Sequence, residues 1–392
     1  MDRIILIKYG ELTTKKSNRN LFIKILSDNI KKSLSGYNFR IIKDRVRMFI
    51  ECDEKDIDNI IEILKNIFGI YSIVLCYRVN TNTEDIKNSI LEIIKDLDFK
   101  TFKVDTTRAY KEFSYNSQEF NNVIGGLVLK NKDNIKVDVH NPEYLLRIEI
   151  REDYTYIYSK EILGASGYPS GVAGKGILML SGGIDSPVSG YLAMKRGINL
   201  ECIYFESPPH TSIAAKNKVI ALVKKLCKYQ PNIKLHIVNF TEIQENIYQK
   251  IDPTYMVTIM RRMMYRITEK VLQKRKAYVI INGESVGQVA SQTLTSMQVI
   301  NNVTNYPVIR PVACFDKLEI INIAKKIDTY ETSILPYEDC CTIFVPRHPV
   351  INPNLDKAIE YENSIDYETM IETCLNNLET IDITRDYKEF DI

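Results

Sequence analysis

Residues 176–197 read GILMLSGGIDSPVSGYLAMKRG: a short apolar run, a loop of small residues, then a helical pattern. The run GILML reads as a buried strand, and a helix follows the loop. Between them, Ser181-Gly182-Gly183-Ile184-Asp185-Ser186 aims several backbone N–H groups at one point, where the positive end of the helix also lies. Gly182 and Gly183 let an anion approach the backbone, and Ser181 and Ser186 add hydroxyl donors. Pro187 falls in the first helical turn, where its missing N–H costs nothing. The unit is therefore a strand–loop–helix that binds phosphate, at the carboxyl end of the first strand of an open sheet.

Downstream the same alternation continues. Strands are expected at 199–205 (NLECIYF), 233–239 (IKLHIVN), 277–282 (AYVIIN) and 306–312 (YPVIRPV), with helices near 187–196, 214–229, 256–274 and 317–326. Apolar strands alternating with helices predict an α/β, doubly wound parallel sheet. The acidic tail after Pro353 carries weak helical periodicity. Upstream, segment 164–176 (GASGYPSGVAGKG) is dense in Gly and Pro, without periodicity, and reads as a linker. Before it, strands at 4–9, 46–52, 71–79, 101–107, 145–151 and 154–159 combine with helices at 20–34, 57–69 and 83–97 in an α+β pattern. Residues 108–122 read as a polar segment. The expected domains are 1–58, 59–165, a linker at 166–175, and 176–392.

Bulk properties narrow the function. The 392 residues are 45% hydrophobic and carry a formal charge of +2, enough for two or three ordinary cores. No signal peptide or apolar run of membrane-spanning length occurs, so a soluble cytoplasmic protein is expected. Eight cysteines, without any C-x-x-C, and four scattered histidines argue against a disulfide framework, structural zinc or a cysteine-bound iron–sulfur cluster. Charge is graded along the chain: residues 1–48 hold 12 Lys+Arg against 4 Asp+Glu, and residues 351–392 hold 3 against 11. A basic front end suits a polyanion, with nucleic acid the usual one.

The loop at 181–186 is neither a Walker A loop nor a dinucleotide fingerprint. SGG-x-DS instead resembles the PP-loop of ATP pyrophosphatases, which adenylate a substrate and release pyrophosphate. The segments YFESPPHTS (204–212), TIMRRMMYRI (258–267), NGESVGQVASQTLTSM (282–297), NYPVIRPVACFDKLEII (305–321) and LPYEDCCTIF (335–344) follow in order. Together they resemble the bacterial tRNA 4-thiouridine synthetase family. GELTTKKSNR (10–19) is similar to that family's N-terminal ferredoxin-like domain, and 59–165 to its THUMP domain, an RNA-binding module.

This resemblance implies ferredoxin-like, THUMP and PP-loop domains, with ATP as cosubstrate and the uridine at position eight of tRNA as substrate. O4 of the uracil is adenylated and then replaced by sulfur. The family also implies sulfur delivery for the thiazole of thiamine, a cysteine desulfurase as persulfide donor, a ubiquitin-like sulfur carrier and a homodimer as candidate partners. The loop amides, Ser181, Gly182, Gly183 and Ser186 are expected to hold the phosphates. Asp185 would hold Mg²⁺, with helix capping as its alternative role, and Arg261 would serve the nucleotide. The resemblance carries ATP contacts over to Met179, Leu180, Tyr204, Phe205, Gly283 and Gln292. It also makes Lys317 the lysine that stabilises developing phosphate charge, and Cys340, with its neighbour Cys341, the reactive thiol. Glu338 and Asp339 would oppose thiolate formation beside it. Lys15, Lys16, Arg19, Arg108 and Lys111 are candidate RNA contacts, with Tyr110, Phe113 and Tyr115 as stacking aromatics.

The family's C-terminal rhodanese domain has no counterpart before Ile392, which leaves Cys340 or Cys341 to be loaded directly or sulfide to come from elsewhere. Competing readings are a non-catalytic ATP-sensing RNA-binding protein and another PP-loop adenylating ligase. A glutamine-dependent amide synthetase would need a glutaminase module, and none is seen.

Overall fold

The computed structural model describes residues 2–15, 17–44, 46–337, 340–343, 346 and 348–388, with Cys341 and Thr342 described by backbone alone. The chain divides into two compact units, 1–167 and 168–392.

The first unit contains β1 (Asp2–Lys8), α1 (Arg19–Ser33), β2 (Phe39–Lys43), β3 (Arg47–Cys52), α2 (Ile57–Leu64), β4 (Ser72–Asn80), α3 (Thr83–Lys95), β5 (Thr101–Arg108), α4 (Ser117–Asn131), β6 (Lys136–Val137), β7 (Tyr144–Ile150), β8 (Tyr154–Tyr158) and β9 (Ile162–Leu163). One sheet runs through all of it in the order β2-β3-β1-β4-β8-β7-β5-β6, and β9 pairs with β4. Ile4, Leu6, Phe49, Val74 and Cys76 form one core. Ile86, Ile90, Phe102, Phe120, Ile124 and Ile148 form another, beneath α3 and α4.

Part of the segment that reads as polar is helical. α4 starts at a capping box, in which the Asn116 side chain accepts from Glu119 N–H and the Glu119 side chain from Asn116 N–H. It buries Phe120, Ile124 and Val128 at four-residue spacing. Asn121, Asn122, Gly125 and Gly126 dilute that stripe, so the apolar period is hard to see in the sequence.

The second unit contains β10 (Lys175–Met179), α5 (Asp185–Lys195), β11 (Asn199–Glu206), α6 (Ile213–Leu226), β12 (Asn232–Asn239), α7 (Thr241–Lys250), α8 (Met256–Arg275), β13 (Val279–Ile281), α9 (Leu294–Asn301), β14 (Val308–Ile309), α10 (Lys317–Lys326), α11 (Tyr330–Ser333), α12 (Cys340–Ile343), α13 (Leu355–Asn363), α14 (Tyr367–Asn376) and β15 (Glu379–Thr384). Its sheet runs β14-β13-β10-β11-β12-β15. The first five strands are parallel. The acidic tail adds the sixth, antiparallel to β12, with Asn232 opposite Thr384 and Ile237 opposite Glu379.

After β10 the chain moves outward through β11 and β12, then returns to the other side of β10 as β13. This reversal opens a crevice at the carboxyl ends of β10 and β13, the expected ligand position in such sheets. Buried Ile177, Ile203, Val238, Ile259, Met263 and Ile280 fill the core on the α8 side. Arg262 of α8, 1% exposed, ties that core to α13 through the equally buried Glu362.

Candidate active site

The loop at 181–186 is folded on itself by its two serines. Ser186 Oγ accepts from Ser181 N–H at 3.0 Å, lies 3.0 Å from Ser181 Oγ and donates to Ser181 O at 3.2 Å. Gly183 N–H donates to Ser181 Oγ at 3.3 Å. Ile184, at the N-cap of α5, makes no side-chain capping hydrogen bond. Asp185 is the first residue of that helix. Its Oδ1 accepts from Lys317 Nζ at 2.6 Å and its Oδ2 from Gln288 Nε2 at 3.0 Å. Lys317 heads α10, which the Asp316–Glu319 capping box anchors. Two of the expected catalytic residues therefore meet across the crevice. Gln288, which donates to the same carboxylate, lies in the 282–297 segment, but nothing in the sequence singles it out.

The segment after β13 packs onto this loop. A Cβ on Gly283 would lie 2.6 Å from Ser186 N and 2.8 Å from the Asp185 carbonyl carbon, so only glycine lets the two backbones approach this closely. Gln292 holds the same segment in place: its Oε1 accepts from Ser285 N–H at 3.3 Å and its backbone O from Gly287 N–H at 2.9 Å.

Glu284, 2% exposed, organises the charge behind this segment. One carboxylate oxygen accepts from Arg261 and the other from Arg310 Nε at 2.7 Å. Asn282 Nδ2 and Tyr265 OH add bonds to the second oxygen at 2.9 and 3.3 Å. Burial alone would raise the Glu284 pKa, but the two guanidiniums outweigh it and hold the carboxyl below its ordinary range. Arg261 is thereby fixed as a cation at the crevice. Neither Glu284 nor Arg310 stands out in the sequence, because a lone Glu or Arg has no period or motif that marks its partner.

Met179, Leu180, Ser181, Tyr204, Phe205, Arg261, Met264 and Cys340 line one small cleft of about 50 Å³. Six of the residues expected to contact nucleotide thus share a wall with the expected reactive cysteine. Phe205 is braced edge-on by Phe240, ring centroids 5.5 Å apart. Cys340 opens α12 and is 3% exposed. The side chain of Cys341 and all of Glu338 and Asp339 lie outside the described residues. The seven described cysteines form no disulfide.

The candidate RNA contacts sit in the first unit. Lys15 Nζ lies 5.4 Å from the centre of the Phe22 ring. Arg19 donates to the carbonyls of Lys15, at 3.0 Å, and Thr13, so it closes the turn before α1. Arg108 donates to the carbonyls of Lys111, Phe113 and Tyr115 at 3.2–3.3 Å and so shapes the loop that presents Lys111. Lys111 is exposed; Lys16 lies outside the described residues. Phe113 is 7% exposed and packs edge-on against Phe120, so it is a core residue, not a stacking platform. Among the described residues no helix is long and apolar enough to cross a membrane.

Three family models match the chain. That of ThiI, thiamine biosynthesis protein, covers residues 171–367; the ThiI ferredoxin-like domain covers 4–74 and the THUMP domain 80–160. A probable tRNA sulfurtransferase from Geobacillus sp. (strain WCH70) is 50% identical over 380 residues, 96% of this chain and 95% of the relative. A solved 4-thiouridine synthetase–RNA complex with bound ATP matches with a TM-score of 0.90 at 36% identity, covering 98% of this chain and 100% of the other. The structure of PH1313 from Pyrococcus horikoshii matches with a TM-score of 0.65 at 22% identity, covering 83% and 99%, which is a likeness of fold.

Proposed function

The chain belongs to the ThiI family, and from that premise we propose that it is an ATP-dependent tRNA sulfurtransferase that makes 4-thiouridine at position eight of tRNA. The observation that carries this reading is the single cleft in which the phosphate loop, Arg261, the Tyr204–Phe205 strand end and Cys340 meet.

A uracil carbonyl oxygen leaves poorly until it is phosphorylated. Uracil O4 attacks the α-phosphorus of ATP, pyrophosphate departs, and the base carries an O-linked AMP. The protein's contribution is position and charge. The α5 amides, Ser181 and Ser186 hold the phosphates, Lys317 and Arg261 offset the charge that develops on them, and Tyr204 and Phe205 flank the adenine. Gly283 keeps the neighbouring segment against the loop.

Asp185 supplies a hard oxygen donor for Mg²⁺, and among the described residues no group of three or more His, Cys, Asp or Glu forms a metal site. That set fits a cation held by one carboxylate together with phosphate oxygens. When bound, the ion would neutralise phosphate charge.

In the second half-reaction the terminal sulfur of a Cys340 persulfide attacks C4, and AMP leaves with the former O4. A second thiolate then attacks Cys340 Sγ, forming a disulfide and freeing the sulfur on C4 as the thiocarbonyl. A cysteine desulfurase is the class of donor that loads the persulfide. RNA is held by the first unit, with Lys15 and Lys111 as phosphate contacts. Such a tRNA-modifying enzyme would work in the cytoplasm. Thiamine sulfur delivery draws on the same persulfide.

The test uses purified protein, ATP, unmodified tRNA and a persulfide donor. AMP and pyrophosphate should appear only with tRNA, and mass spectrometry should find 4-thiouridine at position eight. ATP cleavage indifferent to tRNA, or none at all, would remove this reading and favour an RNA-binding protein that only senses ATP.

A further inference from the structure

Gln244 sits on α7 and is 2% exposed. Its Nε2 donates to the backbone carbonyl of Cys340 at 2.6 Å, and its Oε1 accepts from Ser207 Oγ. Ser207, fully buried, is fixed in turn by its N–H, which donates to Thr211 Oγ1 at 2.9 Å. Ser207 follows Phe205 by two residues, just past the end of β11, so it is tied to the strand end that lines the cleft. The amide therefore brackets two segments far apart in sequence: the nucleotide-side strand end and the first residue of α12.

A buried amide is costly unless both ends are bonded, and a leucine or methionine would fill the same volume in this apolar surrounding. Both ends of Gln244 are bonded here; besides a 3.9 Å contact from Nε2 to Met260 Sδ, its bonds go to Cys340, which lines the cleft, and to Ser207, which adjoins it. α12 is only four residues long and cannot hold its own position through internal hydrogen bonds.

We propose that Gln244 is a positioning residue for the sulfur-transfer half of the reaction: through the carbonyl of Cys340 it fixes the thiol's place on the cleft wall relative to the bound, adenylated base. The proposal rests on Cys340 as the reactive thiol. Gln244 makes no hydrogen bond to the loop at 181–186, and it reaches the nucleotide side only indirectly, through Ser207, whereas it bonds Cys340 itself, so its loss weighs far more on sulfur transfer than on adenylation.

The experiment measures the two half-reactions separately in the full chain. For Gln244→Leu, tRNA-dependent pyrophosphate release should stay within about twofold of wild type. Single-turnover 4-thiouridine formation from persulfide-loaded protein should fall by about a hundredfold, the cost of roughly 1 Å of misplacement. Iodoacetamide labelling of the Cys340 peptide, read by mass spectrometry, should change in rate. Ser207→Ala, which removes only the far end of the bracket, should show the same split with a smaller fall and serves if Gln244→Leu does not fold. Parallel loss of both half-reactions would make Gln244 merely structural and overturn the proposal, as would no loss in either. Cys340→Ser separates the failures. If it still forms 4-thiouridine, the assignment of the thiol falls, and the proposal with it. If it is inactive while Gln244→Leu behaves as wild type, the bracket alone falls.

Discussion

Lys317 Nζ lies 2.6 Å from Asp185 Oδ1, a pair formed across 132 residues of sequence. The lysine side chain is 43% exposed and the aspartate 17%, so the contact is a partly solvated ion pair at the mouth of the phosphate loop. Such pairs contribute about 0–1 kcal/mol to stability. On the proposed reading the same ammonium, drawn to a triphosphate, would act on charge that grows as pyrophosphate leaves. Lys317→Met should therefore lower kcat for tRNA-dependent pyrophosphate release by about 100- to 1000-fold. The KM for ATP should move only a few-fold, and Tm by no more than about 4 °C. A raised KM with unchanged kcat would instead make Lys317 a ground-state contact.

Gly283 offers a steric test of the same loop. With alanine there, the new methyl would press on backbone atoms of Asp185 and Ser186, which cannot swing aside as a flexible side chain can. Overpacking of this kind costs about 1–3 kcal/mol, and here the strain falls on the backbone proposed to hold phosphate. Gly283→Ala should weaken ATP binding, measured by calorimetry, by about tenfold or more. Gly126→Ala is the control. An added Cβ meets nothing within 4 Å there, and replacing a glycine inside a helix stabilises by about 0.5–1 kcal/mol. If both variants bind ATP as wild type does, the close approach at Gly283 is irrelevant to the nucleotide.

The phosphate loop was legible because strand, small residues and helix are contiguous, and contiguous patterns survive in a sequence. So was the alternation of strands and helices after residue 176. Glu284, Gln288, Arg310 and Gln244 were not, because each matters only through a partner that the fold brings to it. The edge strand β15 escaped for a different reason. Its run ETIDIT alternates, but only Ile383 is buried, and acidic neighbours mask the period. The resemblance named Cys340 and Gly283. Why each sits where it does became visible only with Gln244 bonded to one and the loop backbone packed against the other.

The basic residues of the first unit separate into two kinds, and charge reversal should tell them apart. Arg19 closes a turn through two carbonyls, so its guanidinium is part of the fold. Lys15 lies beside the Phe22 ring, and Lys111 is exposed on the loop that Arg108 shapes; on the proposed reading these two would meet phosphate. Lys15→Glu with Lys111→Glu should weaken tRNA binding and reduce the slope of log K against log salt by about 1 for each phosphate no longer neutralised. Tm and ATP affinity should stay as they are. Arg19→Glu should lower Tm as well, because the turn loses its closure. Unchanged tRNA affinity at physiological salt for the double variant would remove Lys15 and Lys111 from the RNA footprint.

Glu201 makes stability depend on pH in a direction that can be worked out. The carboxylate is 5% exposed and accepts from His236 Nε2 at 2.9 Å and from Arg275 Nε and Nη2 at 2.7 and 2.9 Å. Lys175 Nζ lies 2.9 Å away. Burial alone would raise its pKa, but the bonds from His236, Arg275 and Lys175 outweigh this and leave it well below the usual carboxylate range. A folded pKa below the unfolded one means that the unfolded chain takes up the proton first. The stabilisation is therefore complete above about pH 5 and drains away as pH falls through the unfolded value of about 4.3 towards the lower folded one. Glu201→Gln keeps the shape but not the charge. At pH 7 it should cost about 2 kcal/mol, or roughly 4–8 °C in Tm. Between about pH 5 and pH 3 its Tm should fall less steeply than that of wild type, so the two curves converge. Thermal melts across that range decide the matter: parallel curves would mean that other carboxylates, not Glu201, carry the acid sensitivity.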